Sequence, residues 1–395
     1  MDKRITLISA PGPWSGVEVH TIRLVEELIK FGVAVTIVEV GKFNHYNHSS
    51  VSKSISYIGL PDDGCRITNK SFNARHFYYW RKLLKRLESD LIIVVKGYFD
   101  FGNINLYLAA KMSCRSLIAI EHMHQPLMAV NSDSPLKNIY KNWWRRKAQL
   151  RGYIRSTLLD TTICVSDACR QTLINDYLYK DERTFVFHSG VDTSLYQPSK
   201  EIRARVLSKL NIPDDSIIFG SVSRLSPMKN HRMMIEAFSK VRAQNPDDKI
   251  HLIIVGEGPL SDSLRKQASE EGNVNEFVHF VGFTDSPWEY YPAFNFFCLS
   301  SYIGEAFPLA LLEAMACENR PIATDVGGVR ESFTNEVGWL VQPNDCNAFA
   351  HAMNSAVQNL KSTNCMMVSP REYVQIHFDS QEKTQSLARF LVEKR

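Results

Sequence analysis

Short apolar runs of strand length alternate with helical patterns along the whole chain, and this alternation constrains the fold more than any other feature. A continuous apolar run is typical of a parallel strand that is buried on both faces of its sheet. Strands that alternate with helices predict doubly wound sheets. The predicted strands of the first half are Ile5–Ser9, Val33–Val40, Leu91–Val95, Leu117–Ile120, Thr162–Val165 and Phe185–Phe187.

The pattern restarts after a polar stretch at roughly Thr193–Arg205. The predicted strands of the second half are Ile217–Val222, Leu252–Val255, Val278–Val281, Phe296–Leu299 and Pro321–Ala323. A chain of 395 residues is long enough for two hydrophobic cores. We therefore expect two Rossmann-like domains, 1–195 and 196–370, that face each other across a cleft. A C-terminal helix, 371–395, is expected to return to the first domain. Ligands of such sheets bind beyond the carboxyl ends of the strands, so we expect the site in the cleft.

Cysteine usage and the apolar runs exclude several classes of protein. Eight cysteines are scattered along the chain without a Cys-x2-Cys pair, so a zinc site is not expected. Cysteines within apolar runs favour a cytoplasmic protein with reduced thiols. The N-terminus reaches its first strand too early for a signal peptide. The longest apolar runs, such as Leu91–Val95, are too short to span a bilayer.

The net charge of +4 is divided unevenly between the two halves. Residues 1–195 carry 26 Lys and Arg against 18 Asp and Glu, whereas residues 196–395 carry 20 against 24. Two segments without an acidic residue, 66–86 and 134–156, combine aromatic and basic side chains. Such segments suit the surface of an anionic membrane. They equally suit helices that pack on a sheet and expose a solvated basic face. Nucleic acid is not an expected partner, because no recognition motif accompanies the charge.

Two glutamates, Glu305 and Glu313, flank a predicted helix start in the second half. Glu305 lies in a loop after a strand, and Pro308 opens the helix. Unpaired backbone N–H groups near 307–310 would face an anion. A carboxylate at Glu313 can accept hydrogen bonds from two adjacent hydroxyls, as a ribose offers, and Glu305 could do the same for sugar hydroxyls. Taken alone, such a pair is more often a helix-terminal charge and a solvated face.

Two cations, Arg224 and Lys229, follow directly after the predicted strand Ile217–Val222, in a loop that precedes a helix. Fixed cations and helix N–H groups hold a diphosphate where no metal is used. As an isolated feature, this loop would more often be a basic surface. The chain contains no Asp-x-Asp motif that could hold a metal on the diphosphate. This agrees with cationic side chains as the groups that stabilise the charge of a departing diphosphate.

Together, these motifs resemble the donor domain of the retaining glycosyltransferases of family 4, which have the GT-B fold. The stretches that match in order and spacing are Ser223–Asn230, Val255–Pro259, Val281–Phe283, Glu305–Met315 and Thr324–Glu331. The first half is similar more weakly, at Ser15–Glu18, Glu121–His122, Val165–Ser166 and Gly190–Asp192. The resemblance covers nearly the whole chain, and it implies an α/β architecture of two doubly wound domains.

The resemblance implies roles for the site residues of the second half. Arg224 and Lys229 would bind the diphosphate of a nucleotide sugar, Glu313 would bind its ribose and Glu305 its sugar. Sugar and phosphate contacts are also implied for four consecutive residues, Ala306, Phe307, Pro308 and Leu309.

In the first half, the resemblance implies that the loop around Gly16 closes over the phosphates. It also implies a histidine beside the donor sugar, and His122 and His124 are alternatives for it. The sequence departs from the family pattern at Ser189, where Asn is usual, at Cys317–Arg320, where Gly is usual before the proline, and at Ser15–Gly16, where two glycines are usual. None of these departures touches the two glutamates or the two cations.

The resemblance further implies transfer of a hexose-type sugar, with retention, from a nucleoside diphosphate sugar to a hydroxyl of a saccharide or lipid-linked saccharide. A UDP-sugar is expected ahead of a GDP-sugar, an α-glycoside is the expected product, and no metal or other cofactor is expected. Two alternatives stay open: a nucleotide-sugar epimerase of the same fold and a catalytically inactive partner subunit. We expect a cytoplasmic protein, at the inner face of the cytoplasmic membrane if 66–86 and 134–156 bind lipid.

Overall fold

The computed structural model describes residues 3–9, 16–41, 53–60, 72–96, 103–122, 126–127, 135–271, 274–362 and 368–394. Contacts divide the chain into two compact units. The first unit comprises Met1–Ser189 and Glu382–Arg395, and the second comprises Gly190–Gln381. Each unit is built around one parallel sheet.

A seven-stranded parallel sheet forms the centre of the first unit. Its strands are β1 (Arg4–Ser9), β2 (Ala34–Val40), β3 (Ser56–Leu60), β4 (Leu91–Lys96), β5 (Ser116–Glu121), β6 (Thr161–Cys164) and β7 (Thr184–Val186). Their order across the sheet is β3-β2-β1-β4-β5-β6-β7. Ile5 of β1 lies opposite Val35 on one side and Leu91 on the other. The strand order therefore reverses between β1 and β4, as in doubly wound folds.

Helices cover both faces of this sheet. They are α1 (Gly16–Lys30), α2 (Ala74–Leu87), α3 (Ile104–Lys111), α4 (Pro135–Leu158) and α5 (Asp167–Tyr177). Successive strand residues point to opposite faces, and because helices cover both faces the central strand β4 is apolar and buried along nearly its whole length. Ile93 of β4 packs with Leu24 of α1, whereas its neighbour Ile92 packs in the cluster that contains Trp80 of α2 and Tyr107 of α3.

The second unit contains a six-stranded parallel sheet in the order β10-β9-β8-β11-β12-β13. Its strands are β8 (Ile217–Val222), β9 (Ile250–Val255), β10 (Val278–Gly282), β11 (Phe296–Leu299), β12 (Arg320–Thr324) and β13 (Trp339–Val341). The strand order reverses between β8 and β11, where Phe219 lies opposite Phe296. This sheet therefore has the same doubly wound topology as the first.

Helices also cover both faces of the second sheet. They are α6 (Lys200–Lys209), α7 (His231–Gln244), α8 (Ser261–Glu270), α9 (Leu309–Ala316), α10 (Cys346–Lys361) and α11 (Pro370–His377). Leu312 of α9 belongs to the core on one face, with Phe297 of β11. Phe238 of α7 and Phe349 of α10 belong to the core on the other face. The prediction of two Rossmann-like α/β domains is confirmed.

The division between the units falls at 189/190, earlier than the predicted boundary at 195/196. The Val191 N–H donates to the Phe378 oxygen at 2.9 Å, and the Ser380 N–H donates to the Val191 oxygen at 3.0 Å. Gly190 is required at this crossing, because a Cβ there would lie 2.5 Å from the Ser380 Cα. These contacts place the residues after Ser189 in the second unit.

The C-terminal segment, predicted as one helix over 371–395, is divided between the units. Residues up to Gln381 belong to the second unit, and the last helix, α12 (Ser380–Glu393), lies largely in the first. Its Leu387 and Leu391 pack in the core that contains Leu24. The Lys3 ammonium donates to the backbone oxygens of three residues at this end, Leu391, Val392 and Lys394, at 2.8 Å each. None of the described helices combines the length and apolar character needed to cross a bilayer.

Candidate functional site

The second unit brings the predicted cations and glutamates to the point where its strand order reverses. The cation loop (223–230) follows β8, and the glutamate loop (300–308) follows β11. In open α/β sheets, ligands bind beyond the carboxyl ends of strands at this point. The two loops are joined directly, because the Ser300 hydroxyl donates to the Lys229 backbone oxygen at 2.8 Å.

Lys229 and Glu305 form an ion pair, with 2.5 Å between the Lys229 Nζ and the Glu305 Oε1. The side chains are 25% and 9% exposed. The Ser301 hydroxyl also donates to this oxygen, and the Glu305 backbone oxygen accepts from the Gly328 N–H at 3.0 Å. Water screens such a pair less than it screens a surface pair, so its charges act strongly on whatever binds beside them.

The backbone around Arg224 extends the parallel ladder between β8 and β9. The Ser223 N–H donates to the Val255 oxygen and the Leu225 N–H donates to the Glu257 oxygen, each at 3.0 Å. The Arg224 side chain is exposed, and no other described residue forms a hydrogen bond or ion pair with its guanidinium. The Arg224 guanidinium is therefore exposed to solvent, whereas the neighbouring backbone is held by hydrogen bonds to the end of β9.

Two glycines after β9 permit this close approach. Gly256 has a φ of +134°, and a Cβ there would lie 2.0 Å from the Ser223 backbone oxygen. A Cβ at Gly258 would lie 2.4 Å from the Leu225 oxygen. The glycine-rich turn of the sequence thus supports the cation loop by leaving room for its backbone.

Helix α9 begins at Leu309, directly after Pro308, as the sequence predicts. The Leu309 N–H, one of the groups expected to face an anion, donates to the Phe307 backbone oxygen at 3.1 Å. Ala306 and Pro308 are buried, and the Phe307 ring lies 5.5 Å from the Phe378 ring. Packing therefore fixes the backbone at the start of this helix.

Glu313 lies in α9 with a half-buried side chain. The Tyr291 hydroxyl donates to the Glu313 Oε2 at 2.6 Å. The two glutamates therefore have different partners, a lysine ammonium for Glu305 and a phenol for Glu313. Tyr291 and Ser301 are not recognisable as site residues in the sequence, because an aromatic and a serine near strands resemble ordinary core and loop residues.

In the first unit, His122 follows β5 and contacts His20 of α1. Its Nε2 lies 3.0 Å from the His20 Nδ1, so one imidazole donates to the other. Burial, and secondarily the Arg23 charge, lowers the pKa of His20 to about 4. Burial, and then His20, lowers the pKa of His122 well below its ordinary value. Both imidazoles are therefore neutral at pH 7, and within the described ranges the buried His122 Nδ1 lies outside hydrogen-bonding geometry with any polar atom.

The other predicted site residues of the first unit are only partly described. Gly16 is the exposed first residue of α1, and the preceding residues 10–15 lie outside the described ranges. His124, the alternative to His122, also lies outside them. Of the two alternative histidines, only His122 lies within the described residues.

The carboxyl ends of β4 and β5 carry an ion pair that sequence analysis did not single out. The Lys96 Nζ lies 2.5 Å from the Glu121 Oε1, and the two side chains are 0% and 1% exposed. Burial lowers the pKa of Lys96, and the Glu121 charge opposes this effect. Removal of one partner would leave a buried unpaired charge, so this pair constrains the interior beside His122.

The predicted basic segment 66–86 is described from residue 72 onward and contains α2. Trp80 and Leu84 of α2 are fully buried, whereas Tyr78 is 72% exposed. The helix therefore packs on the sheet through one side and exposes aromatic and basic side chains on the other. The interpretation as a helix that packs on the sheet is confirmed for the described part, whereas binding of this segment to a membrane stays a prediction.

The second basic segment, 134–156, is described from residue 135 and lies within α4. Trp143 is 53% exposed and Trp144 is 42% exposed. The Lys147 Nζ lies 4.8 Å from the centre of the Trp143 ring and 5.3 Å from that of Trp144. Other large apolar side chains of this helix are also exposed, namely Ile139, Tyr140, Leu150, Tyr153 and Ile154.

Two family models match the chain. The model described as Glycosyltransferase Family 4 matches residues 14–195, and the model described as Glycosyl transferases group 1 matches residues 203–367. Together they cover nearly the whole chain. The first covers most of the first unit, and the second includes the cation loop and both glutamates.

Relatives and a solved structure agree with this match. The chain is 27% identical over 193 residues to the N-acetylgalactosamine-N,N'-diacetylbacillosaminyl-diphospho-undecaprenol 4-alpha-N-acetylgalactosaminyltransferase of Campylobacter jejuni, across 48% of this chain and 49% of that protein. It is 27% identical over 321 residues to the alpha-monoglucosyldiacylglycerol synthase of Streptococcus pneumoniae, across 78% of this chain and 68% of that protein. Anabaena HepE in complex with UDP and glucose has a TM-score of 0.75 and 18% identity, across 99% of both chains. The chain therefore belongs to the family 4 glycosyltransferases and has the GT-B fold.

Proposed function

We propose that this glycosyltransferase moves a hexose-type sugar, with retention, from a UDP-sugar to a hydroxyl of a saccharide or lipid-linked saccharide. The observation that carries the proposal is the Lys229–Glu305 pair at 2.5 Å, where the strand order of the second sheet reverses. A cation for a diphosphate and a carboxylate for sugar hydroxyls lie side by side there. The reaction would belong to polysaccharide or glycolipid biosynthesis.

The donor and acceptor classes draw support from the similar proteins. The Campylobacter jejuni relative is named for an acceptor on diphospho-undecaprenol, and the Streptococcus pneumoniae relative for a glucosylated diacylglycerol. The Anabaena structure contains UDP and glucose. These names favour a uracil nucleotide and a lipid-linked acceptor for this chain.

In the proposed reaction, the bond between the sugar C1 and the diphosphate breaks as C1 bonds to the acceptor oxygen on the same face. The acceptor proton passes to the departing phosphate oxygen. Lys229 and Arg224 stabilise the charge that develops on the diphosphate, which makes a metal unnecessary. The product is an α-glycoside.

The remaining site residues position the donor. Glu313 accepts hydrogen bonds from the ribose hydroxyls, and Glu305 accepts hydrogen bonds from the sugar hydroxyls. The backbone of 306–309 contacts the sugar and the phosphates. For the first unit, we propose that Gly16 contacts the phosphates and that His122, which is neutral, contacts the sugar. A neutral imidazole there can donate or accept a hydrogen bond without adding charge.

Nucleotide specificity is tested by thermal unfolding. UDP at 100 times its Kd should add roughly 2.7 kcal/mol of stability to the folded protein and raise Tm by a few degrees. GDP at the same concentration should leave Tm unchanged. A rise with GDP alone would reverse the base assignment, and no rise with either nucleotide would contradict the nucleotide site.

The same sample separates the rival activities. UDP-hexoses should release UDP only when an acceptor saccharide is present, and the anomeric proton coupling of the product should be that of an α-glycoside. Turnover of the donor without any acceptor to an isomeric sugar nucleotide would favour an epimerase. Nucleotide binding without turnover across a broad acceptor panel would favour an inactive partner subunit.

We also propose that the protein is cytoplasmic and lies on the inner, anionic face of the cytoplasmic membrane through α2 and α4. Co-sedimentation with vesicles that contain phosphatidylglycerol should show binding at low salt and release at high salt. Replacement of Trp143, Trp144 and Lys147 by alanine should weaken binding about tenfold or more, since buried aromatic area and each basic residue contribute. Phe283→Ala, which removes a 74% exposed ring from the second unit, should have no effect. Absence of wild-type binding at low salt would refute the membrane contact.

A further inference from the structure

A buried tyrosine holds the carboxylate that is assigned to the ribose. Tyr291 is 0% exposed, and its hydroxyl lies 2.6 Å from the Glu313 Oε2. A hydrogen bond to a charged acceptor is shorter and stronger than one between neutral groups. Glu313 itself is half-buried, so Tyr291 provides the inner support of a side chain whose outer part is accessible.

The Tyr291 hydroxyl can act only as a donor toward Glu313. Burial, followed by the nearby Glu313 charge, raises the pKa of Tyr291 well above its ordinary value. The phenol is therefore protonated throughout the physiological range, and its single proton points to the carboxylate. A carboxylate has about four acceptor positions, of which the hydrogen bond from Tyr291 occupies one.

The Tyr291 ring has little freedom to reorient. It contacts the rings of Tyr196, Phe297 and Phe294, with centroid distances of 5.7, 5.9 and 6.1 Å. It also begins a short helical turn, Tyr291–Ala293, just before β11. A donor fixed in this way restricts the Glu313 side chain to the rotamer that satisfies it.

We propose that Tyr291 is a positioning residue that holds the Glu313 carboxylate in the orientation needed to accept both ribose hydroxyls of the nucleotide. This inference rests on the proposed role of Glu313. Two adjacent hydroxyls require a carboxylate at a defined angle, whereas a single hydroxyl tolerates rotation of the carboxylate. The contribution of Tyr291 is therefore measured by discrimination between ribose and deoxyribose.

The neighbouring residue, Tyr290, offers a matched control. It is also buried, with 5% exposure, and its hydroxyl accepts a hydrogen bond from the Lys209 Nζ at 3.2 Å. Among the described residues, the side-chain contacts of Tyr290 are with Lys209, whose Nζ also lies 5.8 Å from the centre of its ring, and not with Glu313. Tyr290→Phe therefore removes a comparable buried hydroxyl that is directed elsewhere.

Isothermal titration with UDP and 2′-deoxy-UDP tests the inference on the full chain. The wild type should prefer UDP by about tenfold or more, because deoxyribose loses a hydrogen bond to a charged group. Tyr291→Phe should reduce this preference to about threefold or less, and Tyr290→Phe should preserve it. The donor KM of Tyr291→Phe should rise about five- to tenfold with kcat within about twofold of wild type. The Tm of both variants confirms that they are folded.

Glu313→Gln separates failure of this inference from failure of the site assignment. If Glu313→Gln loses the preference for UDP and Tyr291→Phe keeps it, Glu313 binds ribose and Tyr291 has only a structural role. If Glu313→Gln keeps the preference, Glu313 does not bind ribose, and both the assignment and the inference are overturned. If guanine is the base, GDP and 2′-deoxy-GDP are the corresponding probes.

Discussion

Replacement of Lys229 by alanine should lower kcat/KM for sugar transfer by roughly 100- to 1,000-fold, the loss expected when one charge-stabilising group is removed from an active site. In the proposed reaction, Lys229 stabilises the departing diphosphate. Glu305→Gln should cause a loss of similar size, because the amide keeps the shape of the side chain and removes its charge. Steady-state kinetics with saturating acceptor would measure both effects.

Stability measurements separate lost chemistry from lost folding in these variants. Lys229→Ala leaves the Glu305 carboxylate, which is 9% exposed, without its cation, at a cost of up to about 3–5 kcal/mol. The double variant with Glu305→Gln removes both charges and should recover most of that stability but none of the activity. Lys240 pairs with Glu236 at 3.2 Å on the surface of α7, so Lys240→Ala should keep activity within about twofold. Wild-type turnover in both Lys229→Ala and Glu305→Gln would contradict the assignment of these two residues to the active site.

Gly256→Ala should destabilise the second unit by about 2–5 kcal/mol, the sum of a strained φ and an overlap with backbone that cannot move aside. Its φ is +134°, and the new Cβ would lie 2.0 Å from the Ser223 oxygen. Relief of this overlap must separate the cation loop from the end of β9. Hydrogen exchange in peptides that cover β8 and β9 should therefore accelerate, because opening of this region would require less free energy.

Gly282→Ala isolates the contribution of the backbone angle. Gly282 also has a positive φ, +84°, but a Cβ there would lie 3.5 Å from the Glu257 Oε2, which is an ordinary contact. The expected cost is about 1–2 kcal/mol from the left-handed conformation alone. Equal stability of Gly256→Ala and Gly282→Ala would show that the close approach of Gly256 to the cation loop is unimportant.

The sequence predicts the fold class because buried parallel strands are apolar along their whole length. The central strand pairs, such as β8 and β9, are found from this pattern alone. Two strands at sheet edges, β3 (Ser56–Leu60) and β13 (Trp339–Val341), were not identified. Only Leu60 of β3 is buried and none of the β13 residues is fully buried, so the apolar signal is weak. Edge strands depend on pairing with a neighbour, which a single run of residues does not encode.

The unit boundaries depend on contacts between residues far apart in sequence. The segment after Ser189 belongs to the second unit because Val191 pairs with Phe378 and Ser380. The local sequence near residue 190 does not predict pairing with residues almost 190 positions later. The same holds for α12, whose Leu387 joins a core built from the beginning of the chain.

Candidate site residues that are chemically distinctive can be recognised in the sequence, whereas those that resemble core residues cannot. Lys229 and Glu305 lie in loops after strands, where charged side chains indicate function, and the structure joins them. Tyr291 and His20 resemble packing residues in the sequence. Their importance lies in one hydrogen bond each, to Glu313 and His122, and such pairing follows from tertiary packing.

The ion pair between Lys229 and Glu305 makes the two halves of the proposed donor depend on each other. A diphosphate that takes Lys229 deprives a nearly buried carboxylate of its cation, and that carboxylate then needs other hydrogen-bond donors. Sugar hydroxyls would supply them, whereas a bare nucleoside diphosphate would not. Binding of phosphate and binding of sugar are therefore thermodynamically linked, and each favours the other. In the proposed reaction, sugar transfer would end this linkage, so the nucleoside diphosphate product should bind less tightly than the intact donor and dissociate more readily.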